Sequence, residues 1–157
     1  MIFYLLRESE NKLSNFFDKR IKIAFVLFFL TGATGSITAL ADVLFPSASF
    51  VEGFIEDFDS TSEVLTRLRI LHPFVSTILS IFLFSESNRF KKEFAIDTST
   101  IKVLVIVGVI LGVLNVVSNI ILPLSILHLL LADLLWITYV YKAVEKATLL
   151  KIPQNID

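Results

Sequence analysis

The chain has 157 residues, of which 55% are hydrophobic and only 18% charged, too apolar for a water-soluble domain of this length. Its formal net charge of −1 leaves no basic field for nucleic acid, and the absence of cysteine excludes disulfides, thiolate metal sites and a cysteine nucleophile. The charges gather in short stretches and leave long apolar runs between them, the arrangement a bilayer imposes.

Residues 1–20 form a lead without a long apolar core or a small-residue cleavage site, so no cleavable signal peptide is expected and the first span serves as the insertion signal. Within it Ile2, Phe3, Leu5, Leu6, Leu13, Phe16 and Phe17 stand among charges, which allows either an interfacial helix on the cytoplasmic side or an unstructured lead. Four spans follow, at about 21–44, 68–84, 101–122 and 124–144, against the roughly 17–25 residues that a crossing needs. The second is short and begins among Arg67 and Arg69, whose stems can lie along lipid while their heads reach the interface. The expected fold is all-α: an integral membrane four-helix bundle over residues 21–146, followed by a cytoplasmic tail at 147–157. No repeat of 20–50 residues is visible, although each helix pair places one histidine just after its outer turn.

Lys and Arg set the orientation. Arg7, Lys12, Lys19, Arg20 and Lys22 lie at the start, Arg89, Lys91, Lys92 and Lys102 between spans two and three, and Lys142, Lys146 and Lys151 at the end, twelve of the fourteen basic residues. The loop after span one is acidic, with Glu52, Glu56, Asp57, Asp59 and Glu63. Both termini are therefore expected in the cytoplasm, with the chain in the plasma (inner) membrane.

The chain has two histidines. His72 lies near the outer end of span two and His128 about one turn inside the outer end of span four, so two imidazoles stand at similar depth on helices running the same way. Two such rings suit a heme iron between helices, because imidazole is an axial ligand and a porphyrin fits an apolar slot. Zinc asks for more ligands than two. The plainer alternative is helix-to-helix hydrogen bonding. An iron sandwich requires the ligating nitrogens roughly 4 Å apart.

Arg69 precedes His72 by three residues and shares its helix face, so Arg69 or Arg67 either meets heme propionates or marks the interface. Pro73 falls in the first turn, where a missing amide costs least. Gly108, Gly112, Asn115 and Asn119 make one stripe on span three; the glycines suit close packing, and Asn115 suits either a polar contact near the cofactor or a bond between helices. Thr31-Gly32-Ala33-Thr34-Gly35-Ser36 gives span one a face of small residues for packing. Asp133 is off the His128 face and is read as a bond to a neighbouring helix rather than a proton relay, and Asp42 as a partner for Arg67 or Arg69.

Three segments resemble the heme A synthases: residues 31–36 continuing through Ala41-Asp42-Val43-Leu44-Phe45-Pro46; Leu68-Arg69-Ile70-Leu71-His72-Pro73; and Gly112-Val113-Leu114-Asn115 followed by Leu127-His128-Leu129-Leu130-Leu131-Ala132-Asp133-Leu134-Leu135-Trp136. Members of that family have two four-helix halves, each with a histidine pair, and oxidise heme O to heme A for terminal oxidases. The resemblance implies that His72 and His128 are the axial pair of a carboxy-terminal, heme b-binding half. The glutamate that the catalytic half carries three residues before its first histidine is replaced here by Arg69, Glu63 does not stand in for it, and the outer-loop cysteine pair is missing. Catalytic residues are therefore unknown, and either a second four-helix half or a homodimer is implied. Three readings stand: a heme A synthase or its heme-binding half, a non-catalytic b-type cytochrome passing electrons to a quinone or partner, and a heme-free assembly subunit.

Overall fold

The computed structural model describes residues 18–149. The lead with its interfacial-helix reading (1–17) and residues 150–157 of the tail lie outside the described residues. In chain order the helices are α1 (Lys19–Leu44), α2 (Phe50–Phe58), α3 (Val64–Leu68), α4 (Leu71–Phe94), α5 (Ser99–Val117) and α6 (Leu122–Leu149). Among the described residues four segments are long and apolar enough to cross a membrane: α1, α3 with α4, α5, and α6. The all-α, four-span architecture expected from hydropathy is the one observed.

α1 packs along α4, α5 along α6, and α4 lies beside α5. Aromatic rings join α1 to α6: Trp136 meets Phe25 and Phe28 edge-on, with centroids at 4.6 and 4.9 Å. Hydroxyls inside α1 bond first to their own helix, and Thr34 and Thr38 also come within 3.4 Å of His72 Nδ1 and the Arg69 carbonyl. Thr31, Thr34, Ser36 and Thr38 each donate to the carbonyl one turn back, at 2.8, 2.8, 3.0 and 3.1 Å, which leaves the helix ladder intact in an apolar solvent.

The ends of α4, α5 and α6 differ from the hydropathy reading. α4 runs ten residues past position 84, because its final turns carry charges that are paired rather than solvated. It stops where Ala95 turns left-handed (φ 54°) and Ile96 N–H returns to the Phe90 carbonyl at 3.2 Å. α5 ends at Val117 rather than 122. Asn119 and the β-branched Ile120 both sit at positive φ (59° and 58°), a costly backbone stabilised by amide returns to Val116 and Asn115 at 3.0 and 2.9 Å. α6 starts at Leu122 with Pro123 in its first turn and continues to Leu149.

The bundle is closed at one end and loose at the other. Away from the histidines, Ala24, Leu79, Leu83, Ile101, Val105 and Tyr139 form a buried core, with Phe90 stacked on Tyr139 at 6.3 Å. Beyond it lies a charged clasp: Glu86, 1% exposed, takes Arg20 at 2.5 Å and Arg89 at 2.6 Å, while Lys146 donates to Asp18. At the histidine end the spans lack such a core. On α1 no residue between Ala24 and Ala41 is buried, and on α6 none before Tyr139.

Candidate functional site

α4 begins at the turn that presents His72. Pro73 has no amide to offer the Arg69 carbonyl, and that carbonyl instead accepts from His72 N–H at 3.2 Å and from Thr38 Oγ1 at 3.4 Å. The His72 ring points at α1, with Nδ1 3.2 Å from the Thr31 carbonyl. A carbonyl only accepts, so Nδ1 carries the proton and Nε2 keeps its lone pair. Gly35 makes the approach possible. A Cβ there would stand 3.1 Å from His72 Cε1, and its absence uncovers the carbonyl one turn earlier.

The second hairpin repeats the device. Gly112 faces the His128 ring, and a Cβ on it would again lie 3.1 Å from Cε1. One turn before Gly112 is Gly108, at the position matching Thr31, but here the ring Nδ1 is buried and has no hydrogen bond among the described residues. The numbering shows the correspondence: Thr31 and Gly108, Gly35 and Gly112, and Thr38 and Asn115 all differ by 77, while Arg69 and Ser125, and His72 and His128, differ by 56. The contacts correspond too, because Thr38 touches the Arg69 backbone and Asn115 accepts from Ser125 Oγ at 3.1 Å.

The two imidazoles are neighbours, with centroids 6.4 Å apart and planes at 89° in an edge-type arrangement. Two in-line Fe–N bonds of about 2.0–2.1 Å, with each ligating nitrogen roughly 1.2 Å from its ring centre, separate the centres by about 6.5 Å. Among the described residues no group of three or more His, Asp or Glu side chains could hold a metal by itself. Two imidazoles therefore suit an ion that brings its other four ligands with it, as a porphyrin iron does. The loose packing at this level, the buried unpaired Nδ1 of His128 and the glycine beside each ring all fit such a group.

The other expected site residues are placed differently. Arg69 is 8% exposed and points away from the rings, donating to Asp57 at 2.8 Å, Asp42 at 3.0 Å, Ser47 at 3.2 Å, and Glu56 and the Gly53 carbonyl at 3.3 Å. Its pairing with Asp42 follows the sequence reading; its role toward propionates does not, since this guanidinium fork is filled by the α2 acids. Burial pushes the Asp57 carboxyl up by more than the hydrogen bond and charge of Arg69 draw it down. Arg67 is exposed and has no ion pair among the described residues. Asn115 is tied to Ser125, at the position matching Thr38, near the histidine end. Asp133 faces outward, exposed. Sequence reasoning took Gly112 and the 31–36 stripe for packing and missed their place beside the rings. The signal in the sequence is only the spacing, a small residue four before each glycine: Thr31 before Gly35 and Gly108 before Gly112.

The model of the COX15-CtaA family, cytochrome oxidase assembly proteins, matches residues 4–140. This chain belongs to that family, the heme A synthase family. Two curated proteins named protoheme IX farnesyltransferase, from two strains of Thermus thermophilus, are each 29% identical to the chain over 125 residues, covering 74% of this chain and 20% of theirs. The chain thus matches about a fifth of the length of those relatives. No solved structure matches it.

Proposed function

We propose that this chain is the heme-binding half of a heme A synthase-like system for cytochrome oxidase assembly, holding heme b with His72 and His128 as axial ligands. The observation that supports this most is the imidazole pair with centroids 6.4 Å apart and planes at 89°. Bound heme would supply one-electron transfer. The protein's part is to hold both ring planes at right angles, keep a proton on His72 Nδ1 through Thr31, and exclude water with apolar helices. Arg67 is the arginine left for a propionate. Both termini are assigned to the cytoplasm, which puts the histidines in the outer leaflet.

Conversion of heme O to heme A then requires a second four-helix half or a second copy, since Arg69 occupies the place of the family's glutamate. That same replacement favours a second reading, a b-type cytochrome that only carries electrons to a quinone or partner. Purification from membranes containing heme tests the first claim. A low-spin bis-histidine spectrum at about one heme per chain is expected, lost by more than tenfold in His72→Ala and His128→Ala. An unchanged heme content in both variants overturns it. Heme A formed after co-expression with a heme O source separates the synthase reading from the electron carrier.

A further inference from the structure

Asp133 is the observation that neither the core nor the histidine site absorbs. It lies eleven residues into α6 and sixteen from its end, about 16 and 24 Å along the axis, near the middle of the span. Its side chain is exposed and has no hydrogen bond or ion pair among the described residues. A carboxyl is too short to reach the interface from that depth, as Lys and Arg do, and hydrocarbon offers it no partner.

The face around it is an exposed apolar stripe with helix-packing periodicity. Ile126, Leu130, Ile137, Tyr141 and Val144 follow one another with Asp133 at intervals of three or four, and these five are 49, 59, 61, 65 and 47% exposed. The chain's own cations do not serve it: on α6, Lys142 is held by Glu145 at 2.9 Å and Lys146 by Asp18, both toward the far end.

We propose that this face of α6 is the contact with a second copy of the chain, packed in parallel with Asp133 against Asp133. A two-fold axis along the bilayer normal keeps each residue at its own depth, so the one charged group on the face meets its own image. Two facing carboxyls satisfy each other through one shared proton. A different partner would need a polar group at this same depth; a second copy has one by symmetry. Spacing of three and four suits two helices crossing at a shallow angle. The histidine site stays within each copy, because His128 lies well over a quarter turn away, and the pairing does not depend on heme.

The chain has no cysteine, so single introduced cysteines report cleanly. Leu130→Cys and Ile137→Cys, oxidised in native membranes, are expected to give homodimer disulfides at least fivefold above Ile81→Cys and Val103→Cys, exposed positions on α4 and α5. Adding Asp133→Leu to Ile137→Cys lowers that yield severalfold, and Asp133→Asn, which keeps a hydrogen-bonding pair, largely preserves it. Equal yields on every face, adducts with a different protein, or a yield indifferent to Asp133→Leu overturns the proposal. If Asp133→Leu does not insert, the cysteine pattern in the unaltered Asp133 background decides alone.

Discussion

Gly112 leaves the His128 imidazole the space that any other residue would occupy, as Gly35 does for His72: in both cases an added Cβ would stand 3.1 Å from the ring Cε1. The two glycines lie on different helices, yet they solve one problem, letting an imidazole from the next long helix approach the helix backbone closely.

Gly35→Ala and Gly112→Ala are therefore expected to push each ring aside by a few tenths of an ångström without unfolding the bundle. Severalfold weaker heme retention and an altered low-spin EPR signature are the expected outcome, with Gly32→Ala as the control, since a Cβ there meets nothing within 4 Å. Heme content and EPR of the three variants check this.

Arg69 clamps α2 to the histidine end through Asp42, Glu56 and Asp57. Replacing it by Ala leaves half-buried carboxylates facing one another, a loss on the order of 3 kcal/mol. Arg69→Ala should lower the thermal midpoint in detergent and open residues 50–58 to protease. Arg69→Lys should fall between, because an ammonium cannot span the three carboxylates with a fork.

Glu86 is 1% exposed between Arg20 and Arg89. Glu86→Ala removes two charged hydrogen bonds at the closed end, a loss of about 1.5–3 kcal/mol, because Arg20 is half exposed and Arg89 keeps Asp18 at 3.6 Å. Thermal unfolding should show a larger loss for Glu86→Ala than for Glu93→Ala, whose carboxylate is half exposed and 4.0 Å from Arg89.

Asp18 gives a pH dependence. Burial alone would raise its carboxyl, but hydrogen bonds from Lys146 and the Ile21 amide, with the charges of Lys146 and Arg89, outweigh it and hold the group below its ordinary 3.8. A depressed folded value contributes stability above the unfolded value that is lost as pH falls through the folded one. Asp18→Asn should therefore be less stable than the unaltered chain at pH 7, and the gap should close below about pH 4. Paired melting curves across pH 3–7 check this.

Four spans were legible in the amino-acid order because the transfer free energy of a side chain into lipid is largely a property of that side chain, summed along a helix. The same local logic exposed His72 and His128 as costly groups at matching depth, and Pro73 as a first-turn residue. It misplaced the end of α4, where Glu86, Arg89 and Lys91 look like loop to a hydropathy scale; pairing with Arg20 makes the buried charge tolerable, and that partner is 66 residues away.

Composition and order alone determined a cysteine-free, four-span helical protein with two intramembrane imidazoles. Only the tertiary structure decided that Arg69 turns to the α2 acids, that Thr31 holds His72 Nδ1, and that a glycine stands beside each ring. Such contacts depend on helix rotation and on approach within a few tenths of an ångström, quantities set by packing between distant segments rather than by any one stretch of chain.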